Sequence, residues 1–247
     1  MKIPLGVVMG GRSAEHEISL RSGHQVLCNL DRNKYDVRAI VITLDNRYYY
    51  RDIGPDTVVG PDEISSLDAL PAPGRSPLFK GPFSALDSRD IWGPSTVAFL
   101  ALHGEAGEDG RFQGFLDTLG IAYNGPGVLA SAVAMNKIMS KYLFLQCGLQ
   151  TPPFSLFGKP HPGNSPESIA ARSPTAQDLH AAAQVFGALP FEIPLYARVD
   201  LIPRQDGAPC LLELELIEPS LFFAHAAGSV ERFTAQIMRF AHVANRT

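Results

Sequence analysis

Three carboxylates and one guanidinium near the end of the chain have the types and spacing of a metal-assisted reaction site. They lie in two apolar runs that flank Asp206-Gly207, a dipeptide typical of hairpin turns. Side chains alternate between the two faces of a strand, and these charged residues fall on one face of the predicted hairpin. The four residues are Arg198, Asp200, Glu213 and Glu215.

The register of this hairpin decides whether its acidic side chains meet. Pairing Ile202 with Leu211 would put Asp200 opposite Glu213 and would leave Leu211 on the acidic face. Like charges opposite each other destabilise a ladder unless something neutralises them, and a hard cation such as Mg²⁺ would do so. Arg198 would then be available to stabilise a developing oxyanion. The alternative is an ordinary edge hairpin with a solvated acidic face and an ion pair from Arg198 to the last acid.

The rest of the chain predicts an α/β fold that would position these side chains. Short apolar runs, typical of buried strands, alternate with segments whose apolar residues recur at helical spacing. Strands are expected at residues 3–9, 37–42, 96–102, 121–124 and 151–157. Helices are expected at residues 13–30, 111–119, 127–134, 136–146 and 176–187, followed by a last helix from Ser229. Residues 47–94 carry many prolines and predict irregular structure with one small hairpin.

Two glycine-containing turns follow the first and third of these predicted strands. The first leads past Ser13, an expected N-cap, to Glu15, and the second carries His103 and Glu108. Ligands of open α/β sheets bind at the carboxyl ends of the strands, so we expect the two turns to share one neighbourhood. A first-turn acid also complements the helix dipole, and this is the alternative role for Glu15.

Composition and charge restrict the class of protein. The 247 residues suffice for one large domain or two smaller ones. The formal net charge of −4 provides no basic footprint, so neither nucleic acid nor an anionic membrane is expected as a partner. Neither an apolar run of about 18 residues nor a signal-peptide pattern occurs. The three cysteines show no CxxC spacing, which indicates reduced thiols in a cytoplasmic protein.

Four segments, taken together, resemble D-alanine–D-alanine ligases of the ATP-grasp superfamily. In chain order they read GGRSAEHEISL, ALHGEAGEDGRFQG, YNGPGVLASAVAMNK and RVDL…ELE. The resemblance runs from residue 1 to about residue 157 and resumes over about 181–220. It implies a Rossmann-like, pre-ATP-grasp α/β domain that binds substrate over residues 1–125. The remaining residues, 126–247, are expected to form a shortened ATP-grasp α+β domain with the metal-binding hairpin and a C-terminal helix.

The resemblance also implies a two-step reaction in peptidoglycan precursor synthesis. ATP phosphorylates the carboxylate of one D-alanine, and the amine of a second D-alanine attacks the acyl phosphate. The implied cofactors are ATP and Mg²⁺, with Mn²⁺ as an alternative ion, and the implied substrate is D-alanine. Such ligases often form dimers, so a homodimer agrees with the resemblance.

Individual site residues follow from the matching motifs. Glu15 matches the residue that holds the ammonium group of the first substrate, and His103 matches a histidine that lines the substrate site. Lys137 matches a nucleotide-binding lysine, and Arg198 matches the arginine that stabilises the tetrahedral oxyanion. The implied metal ligands are Asp200, Glu213 and Glu215.

Some features depart from the pattern of these ligases. Glu215 stands where they have asparagine, and Ser220 stands where they have glycine. The loop GKPHPGNSP matches their serine loop in part, with Lys159 as the nucleotide contact and Ser165 as the catalytic hydroxyl. Little chain separates this loop from the hairpin, although the ligases place most of their central ATP-clamping sheet there. Two further hypotheses are therefore another ATP-grasp carboxylate–amine ligase and a binding remnant without turnover.

Overall fold

Helices cover both faces of a six-stranded sheet, and a separate two-stranded hairpin follows. The computed structural model describes residues 2–71, 74–95, 97–154, 173–189, 196–216 and 228–244. The strands are β1 (Ile3–Gly10), β2 (Tyr35–Ile42), β3 (Tyr48–Ile53), β4 (Lys80–Phe83), β5 (Val97–Leu100), β6 (Ala122–Tyr123), β7 (Arg198–Pro203) and β8 (Pro209–Glu215). The helices are α1 (His16–Asn29), α2 (Pro61–Ser65), α3 (Ser88–Trp92), α4 (Arg111–Leu119), α5 (Val128–Met135), α6 (Lys137–Gln146), α7 (Ala176–Gly187) and α8 (Ser229–Ala244).

The large sheet has the strand order β4-β3-β2-β1-β5-β6. Strand β1 pairs in parallel with β2 and β5, and β5 pairs in parallel with β6. The expectation of irregular structure over residues 47–94 is wrong in part, because β3 and β4 extend this sheet as antiparallel strands. Three consecutive tyrosines form the start of β3, and Tyr49 is fully buried. Aromatic side chains suit a buried strand, and this preference outweighs the prolines around them.

Two apolar cores lie on the two faces of the large sheet. On one face, Leu5, Val7 and Met9 of β1 pack with α1, and Phe233 and Ile237 of α8 join the same core. On the other face, β1 and β2 pack with α3 and α4. The expected apolar stripe of the last helix is thereby confirmed at the two α8 residues. The expected α/β fold class is also confirmed.

The hairpin of β7 and β8 carries a β-bulge. Arg198 pairs with Glu215 and Asp200 pairs with Glu213, as the sequence predicts. The expected pairing of Ile202 with Leu211 is wrong. Leu201 is the residue that pairs with Leu211, so Leu212 is an extra residue in β8.

The bulge changes the face on which Leu211 lies. Leu211 is 2% exposed and packs in an apolar cluster with Leu214 and Leu201, whereas Leu212 is 41% exposed. The apolar side of the hairpin is therefore continuous across the bulge. The charged side carries the four expected charged residues, and Leu211 lies on the apolar side instead.

The ends of the other elements agree with the sequence in most places. Thr175 and Asp178 form the expected capping box of α7. The expectation that Ser13 caps α1 is wrong, because Glu15 occupies the N-cap position without a side-chain cap bond. Residues 151–154 are not a strand, and the rest of that expected strand lies outside the described residues. The domain boundary at 125/126 stays a prediction.

Among the described residues, no single helix has the length and apolar character needed to cross a membrane. The pair α5 and α6 satisfies the length and composition criteria only when the two are taken together, and it is bent by 103°.

Candidate functional site

A cavity of about 450 Å³ opens between the carboxyl edge of the large sheet and the charged side of the hairpin. Distant parts of the chain supply its walls, since the turns after β1 and β5, the helix α6 and the strands β7 and β8 all place a residue there. Six side chains that the sequence analysis assigns to the site line this cavity together. They are Glu15, His103, Lys137, Arg198, Glu213 and Glu215.

Two turns at the sheet edge bring Glu15 close to His103. The hydroxyl of Ser13 donates a hydrogen bond of 2.8 Å to the His103 carbonyl oxygen, which ties the turn after β1 to the turn after β5. A Cβ atom at Gly104 would lie 3.1 Å from Oε2 of Glu15, so this glycine allows the carboxylate to approach. The shared neighbourhood that the sequence predicts for the two turns is confirmed.

His103 is a neutral side chain at the bottom of the cavity. It is 6% exposed, and its Nε2 lies 2.9 Å from the hydroxyl of Ser22. Burial, followed by the nearby charge of Arg198, lowers the pKa of His103 to about 4. Near pH 7 the imidazole is therefore uncharged and acts through hydrogen bonds.

Glu108 is a further cavity residue, which the sequence analysis places nearby without giving it a role. Its Oε2 accepts a hydrogen bond of 2.5 Å from the Gly104 amide. Burial raises the pKa of Glu108 to about 7, and the carboxylates of Glu15, Glu215 and Glu213 add to the rise. The signal in the sequence was its place in the same glycine-rich turn as His103.

The charged side of the hairpin brings three carboxylates together. One oxygen atom from each of Asp200, Glu213 and Glu215 lies within 4.8 Å of the others. Arg198 donates to Asp200 through Nε at 2.9 Å and Nη2 at 3.0 Å, and Nη2 also contacts Glu215 at 2.5 Å. Lys137 forms an ion pair with Glu213. These contacts also satisfy the alternative of an ion-paired acidic hairpin.

The chemistry of this cluster fits a hard divalent cation. All its candidate ligand atoms are carboxylate oxygens, which suit Mg²⁺ better than soft metals. Burial raises the pKa of Glu215 to about 7 against the opposing effect of Arg198, and Glu213 and Asp200 add to the rise. Three ionised carboxylates against two neighbouring cations, Arg198 and Lys137, would leave one negative charge uncompensated at the hairpin. A metal ion would remove that excess.

Not every residue that the sequence singles out can be placed in this geometry. Lys159, Ser165 and Ser220 lie outside the described residues. Lys141, one helical turn after Lys137, directs its Nζ to the Thr151 hydroxyl at 3.0 Å.

Comparisons with known proteins agree with the sequence motifs. Residues 4–126 match the family model described as D-ala D-ala ligase N-terminus. The D-alanine–D-alanine ligase of Leptospira biflexa is 38% identical over 153 residues, which are 62% of this chain and 43% of that protein. The ligase of Geobacillus kaustophilus is 41% identical over 154 residues, 61% of this chain and 41% of that protein. The chain thus aligns with less than half the length of these curated relatives.

Solved structures share the fold over nearly the whole chain. VanG D-Ala:D-Ser ligase from Enterococcus faecalis has a TM-score of 0.72 at 17% identity, covering 98% of this chain and 100% of that one. The Bacillus anthracis D-alanine–D-alanine ligase complexed with ATP has a TM-score of 0.64 at 18% identity, covering 100% and 98%. At these identities the likeness shows the fold alone. The resemblance expected from the sequence and the ATP-grasp fold class are both confirmed.

Proposed function

We propose that this chain, whose first half is similar to the N-terminal part of D-alanine–D-alanine ligases, binds D-alanine and a magnesium nucleotide in one cavity. The reaction for which the cavity is arranged is the ATP-dependent joining of two D-alanines, a step of peptidoglycan precursor synthesis. The observation that supports this proposal most is the convergence of six expected side chains, from five separate elements and turns, on one cavity.

The cavity separates a substrate end from a phosphate end. Glu15 would hold the ammonium group of D-alanine by charge and hydrogen bonds, beside the neutral imidazole of His103. Arg198 would stabilise the oxyanion that forms when an amine attacks an acyl phosphate, because a fixed guanidinium in a partly buried site needs no reorganisation. Glu108, with its pKa near 7, is able to hold a proton between these two ends.

The phosphate end consists of Lys137 and the acids of the hairpin. Asp200, Glu213 and Glu215 would hold Mg²⁺, which when bound neutralises the phosphate charge of a nucleotide. Lys137 would exchange its ion pair with Glu213 for a phosphate oxygen, since both are anionic acceptors. The proposal includes these residue roles and Mg²⁺ as the metal ion. It also includes a homodimer and a cytoplasmic location.

Isothermal titration calorimetry with two ligands tests the proposal. We expect Glu15→Gln to weaken binding of D-alanine and to leave binding of Mg-ATP near that of the parent. Asp200→Ala should weaken binding of Mg-ATP and leave binding of D-alanine near that of the parent, because it removes a metal ligand. Asp206→Ala, in the exposed turn of the same hairpin, is the matched control and should bind both ligands normally. Failure of the parent chain to bind either ligand would refute the proposal.

Glu215 favours a second candidate within the same reaction class. A glutamate replaces the asparagine expected there, and it adds negative charge beside the substrate cavity. Another ATP-grasp carboxylate–amine ligase, acting on a different amine, is therefore the alternative. Phosphate release measured with a panel of D- and L-amino acids separates the two candidates, since only the first requires D-alanine.

A further inference from the structure

A buried histidine–aspartate pair lies behind the turn that carries Glu15. His16 follows Glu15 directly and is 3% exposed. Its Nδ1 lies 2.7 Å from the Gly11 carbonyl oxygen, and its Nε2 lies 2.9 Å from Oδ2 of Asp68. Neither His16 nor Asp68 lines the cavity, so any effect on a ligand would have to act through the turn.

Both ring nitrogens of His16 face acceptors, a backbone carbonyl oxygen at Nδ1 and a carboxylate oxygen at Nε2. The side chains of His16 and Asp68 are 4% and 19% exposed. Water therefore competes little for these hydrogen bonds, and a hydrogen bond to a carboxylate is stronger than one between neutral groups.

Asp68 connects three separate segments of the chain. It lies in the turn after α2, where its amide donates to the Ser65 carbonyl at 3.3 Å. Its second oxygen, Oδ1, accepts a hydrogen bond of 2.8 Å from the Leu44 amide, just beyond the end of β2. Through His16 the same carboxylate holds the Gly11 carbonyl. The turn that presents Glu15 is thus fixed by contacts with residues that do not line the cavity.

The backbone of this turn has little space to move around the ring. Gly10 has a φ of +89°, and a Cβ atom there would lie 2.2 Å from the Ile42 carbonyl oxygen and 3.1 Å from Cε1 of His16. The amide of Gly11 donates to the same Ile42 carbonyl at 2.7 Å. Loss of the ring's hydrogen bonds would therefore displace the adjoining N-cap residue, Glu15.

We propose that His16 and Asp68 are positioning residues for the ammonium-binding carboxylate of Glu15. This inference rests on the proposed function, because it takes D-alanine as the ligand of Glu15. The pair should affect D-alanine much more than the magnesium nucleotide, whose ligands come from the hairpin and α6. A small displacement of Glu15 would weaken D-alanine binding. A carboxylate that is already held in the binding position binds the ligand without a further loss of its own freedom of movement.

Substitutions of Asp68 test the inference without altering a residue of the cavity. Asp68→Ala removes both hydrogen bonds and the charge. Asp68→Asn is the conservative variant: its amide oxygen accepts from Leu44, and its NH₂ group donates to Nε2 of a neutral His16 that keeps its proton on Nδ1. Asp62→Ala, at an exposed acid of the preceding helix α2, is the control for the loss of one negative charge.

Calorimetry with D-alanine and with Mg-ADP gives the readout. We expect Asp68→Ala to weaken D-alanine binding by about tenfold, equivalent to ~1.4 kcal/mol, and to leave Mg-ADP binding within about twofold of the parent. Asp68→Asn should restore most of the D-alanine affinity, and Asp62→Ala should bind as the parent does. This pattern would not follow from a general loss of stability.

Four results would overturn the inference. Unchanged D-alanine binding by Asp68→Ala, while the parent binds, would refute the positioning role and leave the proposed function intact. An equal loss of both ligands, or an Asn variant as weak as the Ala variant, would show a merely structural role. A parent chain that binds Mg-ADP but no D-alanine would refute the proposed substrate, and the positioning role with it.

Discussion

Glu108 illustrates how the charge balance of the cavity acts on one side chain. Four glutamates line the cavity against one lysine and one arginine, and His103 is neutral near pH 7. In this setting the protonated form of Glu108 is stabilised, since burial and the like charges of the other three glutamates both oppose its ionisation. Residues of this kind are frequent at functional sites, although structural networks also produce them.

The raised pKa of Glu108 predicts a specific dependence of stability on pH. Between its ordinary value of 4.5 and about 7, the folded chain keeps a proton that the unfolded chain releases. Stability contributed by this group therefore falls as pH rises through that window and stays low above it. Glu108→Gln should be more stable than the parent at pH 8, by on the order of 1–3 kcal/mol, and equal to it at pH 4.5.

Urea unfolding of parent and variant at several pH values measures this difference. Taking the difference cancels the opposite contribution of His103, whose lowered pKa makes stability rise with pH between about 4 and 6.5. Glu105→Gln, at an exposed position in the same turn, is the control. A difference between parent and Glu108→Gln that does not change with pH would contradict the protonated state of Glu108.

At the level of elements, the sequence indicates most strands of the large sheet, but neither the bulge of the hairpin nor the His16–Asp68 contact. The apolar runs of β1, β2 and β5 identify buried parallel strands, because only such strands lack a polar face. Leu211 was misplaced, because alternation assumes an unbroken period of two and a bulge shifts that period by one residue. Asp68 could not be recognised, since its partner His16 is 52 residues away and nothing local marks the pair.

Gly23 provides a test of how closely α1 packs on β1. A glycine inside a helix lowers stability by about 1 kcal/mol relative to alanine, so propensity alone favours Gly23→Ala. A Cβ atom there would lie 2.5 Å from Cβ of Met9, a position close to the backbone that cannot move aside easily. We expect the overpacking to dominate, with a net loss of roughly 1–2 kcal/mol.

Thermal unfolding followed by circular dichroism measures this loss. Gly187→Ala is the matched control, because Gly187 is also helical and no described atom beyond its own stretch of helix would lie within 4 Å of the new methyl group. The control should be as stable as the parent or slightly more so. A Gly23→Ala variant that is stabilised like the control would mean that α1 and β1 are less tightly packed than described.

At the level of the whole molecule, the site has one well-built side. The large sheet presents Glu15 and His103, whereas β7 and β8 are the only strands among the described residues after residue 126. No described residue of α6 is buried, and Leu129 on α5 and Leu145 on α6 are 79% and 48% exposed. Within the described part of the chain, nothing therefore covers the nucleotide end of the cavity on its outer side.

The short stretch of sequence between the GKPHPGNSP loop and the hairpin predicts very low synthesis of D-alanyl-D-alanine by the chain alone. Phosphoryl transfer depends on fixed charges in a site that excludes water, and a nucleotide held from one side stays solvated. Incubation with saturating ATP, Mg²⁺ and D-alanine, followed by mass spectrometry of the dipeptide, measures the rate. Turnover of about 1 per second or more would contradict this prediction. The Asp200→Ala variant, which lacks a proposed metal ligand, gives the background amount of dipeptide.

The bulge at Leu212 also determines where the hairpin can vary in length. All four charged residues lie between the open end of the hairpin and the bulge, and the turn lies on the other side. Gain or loss of a residue near the turn could be absorbed at the bulge, because that position already interrupts the pairing between the strands. A turn of different length is thus compatible with the same pairing of Arg198 with Glu215 and of Asp200 with Glu213.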